Sequence, residues 1–128
     1  MSLSAEERKI LIKSQQGELD AVKMYNALAR VVKDPGDAET FRQLAAEEGH
    51  LAAVFKAMTN EVLKPKSTKA IVVPLLYRVI GKKKLYPIIA KKEYDAKVKY
   101  EPVAARFSEV ESVKNDEQRH GDTVLALL

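Results

Sequence analysis

Apolar residues recur at helical spacing along most of the chain, and the alternation typical of a strand is nowhere sustained. The pattern is interrupted at residues 34–37, at residues 64–67 and at Gly81, where proline, glycine or clustered charge is found. An all-α fold is therefore predicted. The predicted helices cover residues 4–33, 38–62, 69–80, 85–107 and 109–127, of which the third is short.

Two local signals mark helix starts. Ser4 with Glu7, and Ser108 with Glu111, have the Ser-x-x-Glu spacing of a capping box. A chain of 128 residues buries about two thirds of its unfolded surface in one core. We therefore expect one domain over residues 1–128.

The composition excludes several kinds of site. The chain has no cysteine, so it has no disulfide, no thiolate-bound zinc or iron and no cysteine nucleophile. Its longest apolar stretch, residues 70–77, is too short to span a bilayer, and the N-terminus lacks the apolar core of a signal peptide. A cytoplasmic protein is the expectation.

The net charge of +4 reflects 22 basic against 18 acidic residues, and lysines gather on either side of residues 69–80. Such a run usually marks a solvated face, with anionic lipid or nucleic acid as the alternatives. Aromatic residues are not interleaved with these lysines in the manner of a nucleic-acid groove. We therefore expect no nucleic-acid partner.

A repeated motif carries the candidate chemistry. Glu-x-Asp-Ala-x-x-x-Tyr begins at Glu18 and again at Glu93, and each copy is followed by a Glu-x-x-His pair. These pairs are Glu47 with His50, and Glu117 with His120. Residues three apart on a helix share a face, so a carboxylate and an imidazole at this spacing can bind one ion. The four glutamates and two histidines therefore predict a dinuclear metal site.

The helical stripes support this assignment over ordinary surface polarity. Each of the four glutamates falls within the apolar stripe of its own predicted helix, whereas Glu48 falls outside it and is expected at most as an extra ligand or entry-path acid. Burying even one unpaired carboxylate costs several kcal/mol, and two divalent ions would compensate four of them. Carboxylates with imidazoles suit iron or manganese, and zinc is also possible.

Two tyrosines complete the candidate site. Tyr25 and Tyr100 follow Glu18 and Glu93 by seven residues, which places them on the same face about 10 Å along the helix. We expect each hydroxyl to bond a ligand carboxylate of the opposite hairpin and to fix its orientation. The alternative is that both are ordinary core tyrosines.

On these motifs the chain resembles the rubrerythrin branch of the ferritin-like superfamily over essentially its whole length. The resemblance implies a four-helix bundle of two antiparallel hairpins, joined by a long crossover that contains a short helix. It also implies that Glu47 and Glu117 bridge two metals, that Glu18 and Glu93 are terminal ligands, and that His50 and His120 each cap one metal. The implied cofactor is a pair of iron or manganese ions without haem.

The resemblance implies an oxidoreductase that reacts with peroxide or dioxygen, receives electrons from a donor protein and forms a homodimer. Two departures leave other functions open: Ala96 replaces a glutamate that rubrerythrins usually carry, and the chain has no cysteine for an electron-transfer centre. The alternatives are a ferroxidase or iron-detoxification protein, a membrane-associated monooxygenase similar to demethoxyubiquinone hydroxylases, and a metal-stabilised structural bundle. The monooxygenase would contact membrane through residues 69–80, although a crossover helix or dimer contact is favoured there.

Overall fold

The computed structural model describes residues 2–128, in which five α-helices and no strand are found. The helices are α1 (Ala5–Val31), α2 (Pro35–Thr59), α3 (Thr68–Ile80), α4 (Lys82–Ala104) and α5 (Ser108–Leu125). The predicted all-α class is confirmed. The predicted domain begins at residue 1, and Met1 lies outside the described residues.

The helices form two hairpins joined by a crossover. Helix α1 packs along α2, helix α4 packs along α5, and α3 lies mainly against α1. Direct contacts between α1 and α4, and between α2 and α5, are much sparser. None of the helices in residues 2–128 is long and apolar enough to cross a membrane.

Side-chain caps decide where two of the helices begin. At α1 the predicted capping box is present, since Glu7 N donates to Ser4 Oγ at 3.0 Å and Ser4 N donates to Glu7 Oε1 at 2.9 Å. Helix α2 begins three residues earlier than predicted because Asp34 caps it and Pro35 fits its first turn.

The capping box predicted at the start of α5 is wrong. Phe107 is the N-cap residue, and the Ser108 hydroxyl donates to Glu109 Oε1 at 3.2 Å instead. Two acidic residues, Glu109 and Glu111, still lie in the first turn. Their negative charges interact favourably with the positive end of the helix dipole.

The apolar core consists of two clusters. The Phe41 cluster includes Leu28, Phe41, Leu85, Tyr86 and Val124, and the Phe55 cluster includes Leu11, Leu51, Phe55, Val103 and Val110. Along each long helix, one buried glutamate falls between the residues of one cluster and those of the other. These glutamates are Glu18, Glu48, Glu93 and Glu117. A buried acidic layer therefore crosses the bundle between the two apolar clusters.

Polar side chains of α1 hold the crossover in place. Gln15 Nε2 donates to the carbonyl of Glu61 at 2.9 Å, and Gln16 Nε2 donates to that of Lys64 at 2.8 Å. Asp20 Oδ1 accepts the backbone N–H of Lys66 at 2.7 Å. These bonds fix the chain just before α3 and so fix that helix against α1.

Helices α4 and α5 approach closely at Gly121. A Cβ built on Gly121 would lie 2.6 Å from Tyr94 Cζ, whereas one built on Gly17 meets nothing within 4 Å. The Tyr94 hydroxyl also donates to Asp122 Oδ1 at 2.6 Å. Glycine at 121 therefore permits both the packing of the Tyr94 ring and this hydrogen bond.

We predict that Gly121→Ala lowers the free energy of unfolding by about 1 kcal/mol or more, because overlap with Tyr94 outweighs the gain in helix propensity. Gly17→Ala is the matched control and should raise it by about 1 kcal/mol. Urea denaturation of the metal-free protein measures both. Adding Gly121→Ala to a Tyr94→Ala background should be harmless, and equal destabilisation there would contradict the explanation.

Candidate metal centre

The acidic layer places four glutamates and one histidine in the centre of the bundle, each supplied by a helix that packs around it. Their exposed fractions are 4% for Glu18, 1% for Glu48, 7% for Glu93, 2% for Glu117 and 0% for His120. Glutamates are seldom fully buried without a partner. The desolvation cost of this many buried carboxylates must therefore be offset by protons, hydrogen bonds or cations.

Four of these residues converge on one point. One donor atom from each of Glu48, Glu93, Glu117 and His120 lies within 4.8 Å of all the others. Nδ1 of His120 lies 2.9 Å from Glu48 Oε1, 3.6 Å from Glu117 Oε1 and 3.8 Å from Glu93 Oε2. Three carboxylates and an imidazole at such spacing can bind a divalent cation.

Two tyrosines cross between the hairpins to reach the acidic layer. Tyr25 on α1 donates to Glu93 Oε1 on α4 at 2.5 Å, and Tyr100 on α4 donates to Glu18 Oε1 on α1 at 2.6 Å. As the repeated motif predicts, the tyrosine of each copy binds the glutamate of the other copy. Each tyrosine therefore fixes one oxygen of a carboxylate and leaves the other oxygen without a hydrogen bond.

Three buried carboxylate oxygens make no hydrogen bond within residues 2–128. They are Glu18 Oε2, Glu93 Oε2 and Glu117 Oε1. An orphaned buried acceptor costs about 1–3 kcal/mol, and more when it is charged. Oxygen atoms of this kind, two of them 3.6 and 3.8 Å from His120 Nδ1, are donors that a divalent cation prefers, so the residues present fit such an ion.

The charges of the layer are strongly coupled. Burial, together with the neighbouring carboxylates, raises the pKa of Glu18 to about 8 and that of Glu117 to about 12. Burial would also raise the pKa of Glu93, but the nearby His120 and Glu117 and the hydrogen bond from Tyr25 hold it below the ordinary value. Burial would lower the pKa of His120, and nearby Glu93 and Glu47 raise it instead. Without a cation, protons on Glu18 and Glu117 reduce the charge repulsion.

The structure does not bring together all six residues that the sequence predicts as ligands. Glu18, Glu93, Glu117 and His120 lie in the buried layer. His50 is exposed, and Glu47 is half-exposed at the edge of the layer. The expectation that Glu48 lies off the ligand face is wrong, since its side chain is buried beside His120 Nδ1.

The rotation of α2 about its own axis explains why Glu48, rather than Glu47 and His50, lies in the buried layer. Phe41 and Phe55, each seven residues from Glu48, are fully buried and set the inward face of the helix. At about 100° per residue, Glu47 lies a quarter turn away from Glu48 and His50 lies almost opposite it. The two phenylalanines were the signal in the sequence, because they place Glu48 rather than Glu47 at the centre of the stripe.

Glu47 nevertheless contacts the cluster from outside. Its Oε1 lies 3.1 Å from His120 Nε2 and accepts a hydrogen bond from Arg119 Nη2 at 2.5 Å. Partial burial would raise the pKa of Glu47, but Arg119 and His120 hold it below the ordinary value. An ionised carboxylate therefore faces the imidazole nitrogen that points away from the cluster.

The fold and this donor set define a class of protein, namely helical bundles that bind metal through carboxylates and imidazole on facing helices. A protein-family model described as Rubrerythrin matches residues 9–128. The chain therefore belongs to the rubrerythrin family, which is part of the ferritin-like superfamily. No curated protein matches the chain, and no solved structure matches it.

We predict that the metal-free protein loses stability as the pH rises from about 4.5, the ordinary pKa of Glu18, to its folded pKa of about 8. The raised pKa means that folding favours the protonated carboxyl, so this contribution is complete below the ordinary pKa and is lost above the folded one. The slope for one group is at most about 1.4 kcal/mol per pH unit.

Urea unfolding in the presence of a chelator, at a series of pH values, measures this dependence. Glu18→Gln should reduce the slope below about pH 8 because glutamine does not titrate, and Glu117, whose pKa is raised to about 12, contributes to what remains. Glu6→Gln, at an exposed position outside the acidic layer, is the control. An unaltered slope in Glu18→Gln would refute the assignment to Glu18.

Proposed function

We propose that the chain is a non-haem di-iron oxidoreductase that reacts with peroxide or dioxygen. The observation that carries the proposal is the convergence of Glu48, Glu93, Glu117 and His120 in a buried layer that also holds the orphaned oxygens of Glu18, Glu93 and Glu117, in a chain of the rubrerythrin family. Hard oxygen donors with one imidazole also suit manganese.

The residues that would hold the metal are Glu18, Glu48, Glu93 and Glu117, through carboxylate oxygens, and His120, through Nδ1. A bound iron pair would supply the electrons that reduce peroxide or dioxygen, and a donor protein would replace them. The apolar clusters on either side of the layer exclude bulk water, and Tyr25 and Tyr100 hold two of the carboxylates in position.

Glu47 has a separate part in this proposal. With Nδ1 of His120 as a metal ligand, Nε2 would keep the proton and its N–H would donate a hydrogen bond to Glu47 Oε1, which would fix the tautomer and the orientation of the ring. Glu47 is then a positioning residue rather than a ligand. The ligand pair that the sequence predicts, Glu47 with His50, remains the alternative assignment.

Metal loading of variants separates the two assignments. We predict that Glu48→Gln and His120→Asn each lose bound iron, because each removes a donor from the cluster. His50→Asn should retain wild-type loading, since the exposed His50 lies away from the cluster. Glu47→Gln should retain metal with an affinity reduced by about 10–100-fold, the usual effect of losing a partner of a ligating histidine.

Anaerobic titration with ferrous iron, followed by metal analysis after desalting, gives the stoichiometry and affinity. Circular dichroism confirms that each variant is folded. Loss of iron in His50→Asn together with normal loading in Glu48→Gln would favour the sequence-based assignment and contradict the one proposed.

Stopped-flow oxidation of the ferrous-loaded protein tests the reaction. We predict that peroxide oxidises the bound iron faster than dioxygen does, and that a chemical reductant restores the ferrous form for a second turnover. The Glu48→Gln variant is the control without a complete site. Faster oxidation by dioxygen, with iron accumulating beyond the site's capacity, would favour a ferroxidase instead.

A further inference from the structure

A cavity of about 610 Å³ lies beside the acidic layer, between α1, α3 and α4. Its walls are mainly apolar and include Met24, Val73, Leu76 and Leu85, while Glu18, Glu93 and Glu117 line it on the side of the layer. Sites for small organic molecules have volumes of about 300–1,000 Å³ and similar apolar walls. Peroxide and dioxygen need far less space.

Small residues create this space. Gly17 and Ala21 on α1, and Ala96 on α4, line the cavity next to the glutamates. A Cβ on Gly17 would meet nothing within 4 Å, so the absent side chain opens volume rather than permitting close packing. Ala96 occupies the position at which the family resemblance leads one to expect another glutamate, and here it forms apolar wall.

Four lysines line the same cavity: Lys13, Lys69, Lys92 and Lys99. All four are exposed, and exposed lysines of this kind keep the ammonium group in water while the alkyl stem covers apolar surface. Within residues 2–128, the buried glutamates of the layer are the only acidic residues that line the cavity. The mouth is therefore positive and the wall behind it is apolar.

We propose that this cavity binds an organic anion with a long apolar chain, of the free fatty acid type. The carboxylate head would lie among the lysines at the mouth, and the chain would extend between α1, α3 and α4 towards the acidic layer. A neutral lipid would leave the lysines without a partner. A small anion would leave the apolar wall unfilled, and burial of that wall is the main source of affinity.

This inference goes beyond the proposed function and does not require the metal. Only the binding of the ligand is proposed, and the test is made on the metal-free full chain. Failure of metal loading and failure of ligand binding are therefore separate results.

Calorimetric titration with dodecanoate, below its micellar concentration, tests the proposal. Dodecanoate should bind one site per chain, and its affinity should fall as salt screens the lysines. Two matched probes separate the contribution of the charged head group to the affinity from that of the apolar chain. Butyrate carries the same charge without the long chain, and dodecyltrimethylammonium carries a similar chain with the opposite charge; both should bind at least about tenfold more weakly.

Variants test the location of the site. Gly17→Leu fills the cavity and should weaken dodecanoate binding at least about tenfold, while helix propensity favours its folding. Ala96→Leu fills the space from the α4 side and serves as a second such variant. Lys92→Ala should weaken binding about threefold, whereas Lys91→Ala, the adjacent lysine outside the cavity, should have no effect.

Four results would overturn the proposal. The first two are a dodecanoate affinity that is unchanged in a folded cavity-filling variant, and equal effects of Lys91→Ala and Lys92→Ala. The third is that butyrate binds as tightly as dodecanoate. The fourth is that the protein binds anionic vesicles but does not bind free dodecanoate. If Gly17→Leu fails to fold by circular dichroism, Ala96→Leu and the lysine pair decide the question.

Discussion

The burial of four carboxylates in one layer is the constraint on which the rest of the structure depends. Glu18, Glu48, Glu93 and Glu117 come from four different helices and are all at least nine-tenths buried. Their mutual repulsion and desolvation would oppose folding unless protons, hydrogen bonds or cations compensate them. The raised pKa values of Glu18 and Glu117 favour protonation of these two groups, which reduces the repulsion, and the orphaned oxygens remain available to a cation.

The same layer ties the two hairpins together. Helices α1 and α4 contact each other sparsely, yet the bonds from Tyr25 to Glu93 and from Tyr100 to Glu18 run between them in opposite directions. Both bonds are buried, where a hydrogen bond to a carboxylate is stronger than in water. These bonds join the hairpins at the level of the site, while the two apolar clusters above and below it also contain residues of both hairpins. The cavity lies on the side where α1 and α4 contact each other only sparsely.

Sequence patterns predict the helices well because each helix carries its own signal. Helical spacing, the Ser4 capping box and the Asp34-Pro35 break all act within a few residues, and the structure contains each of them. The reciprocal tyrosine bonds follow from a repeat of fixed spacing. The phase of α2 was not predicted, because the Glu-x-x-His repeat and the stripe of Phe41 and Phe55 favour different inward faces. The cavity gives no local signal either, since it depends on how far apart α1 and α4 lie.

Because of the way α2 is rotated about its axis, the two hairpins supply different kinds of donor atom to the candidate metal centre. The repeat in the sequence would supply one imidazole from each hairpin, but the structure places His120 at the cluster and His50 at the surface. The α4–α5 hairpin thus contributes two carboxylates and the only imidazole of the buried layer in residues 2–128, while the α1–α2 hairpin contributes oxygen donors alone. Imidazole and carboxylate differ in softness, so two metal positions built from these residues would differ in affinity and in preferred ion. Glu18, Glu93 and Glu117, each with an orphaned oxygen, all border the cavity, so a ligand in the cavity would approach oxygen donors of both hairpins.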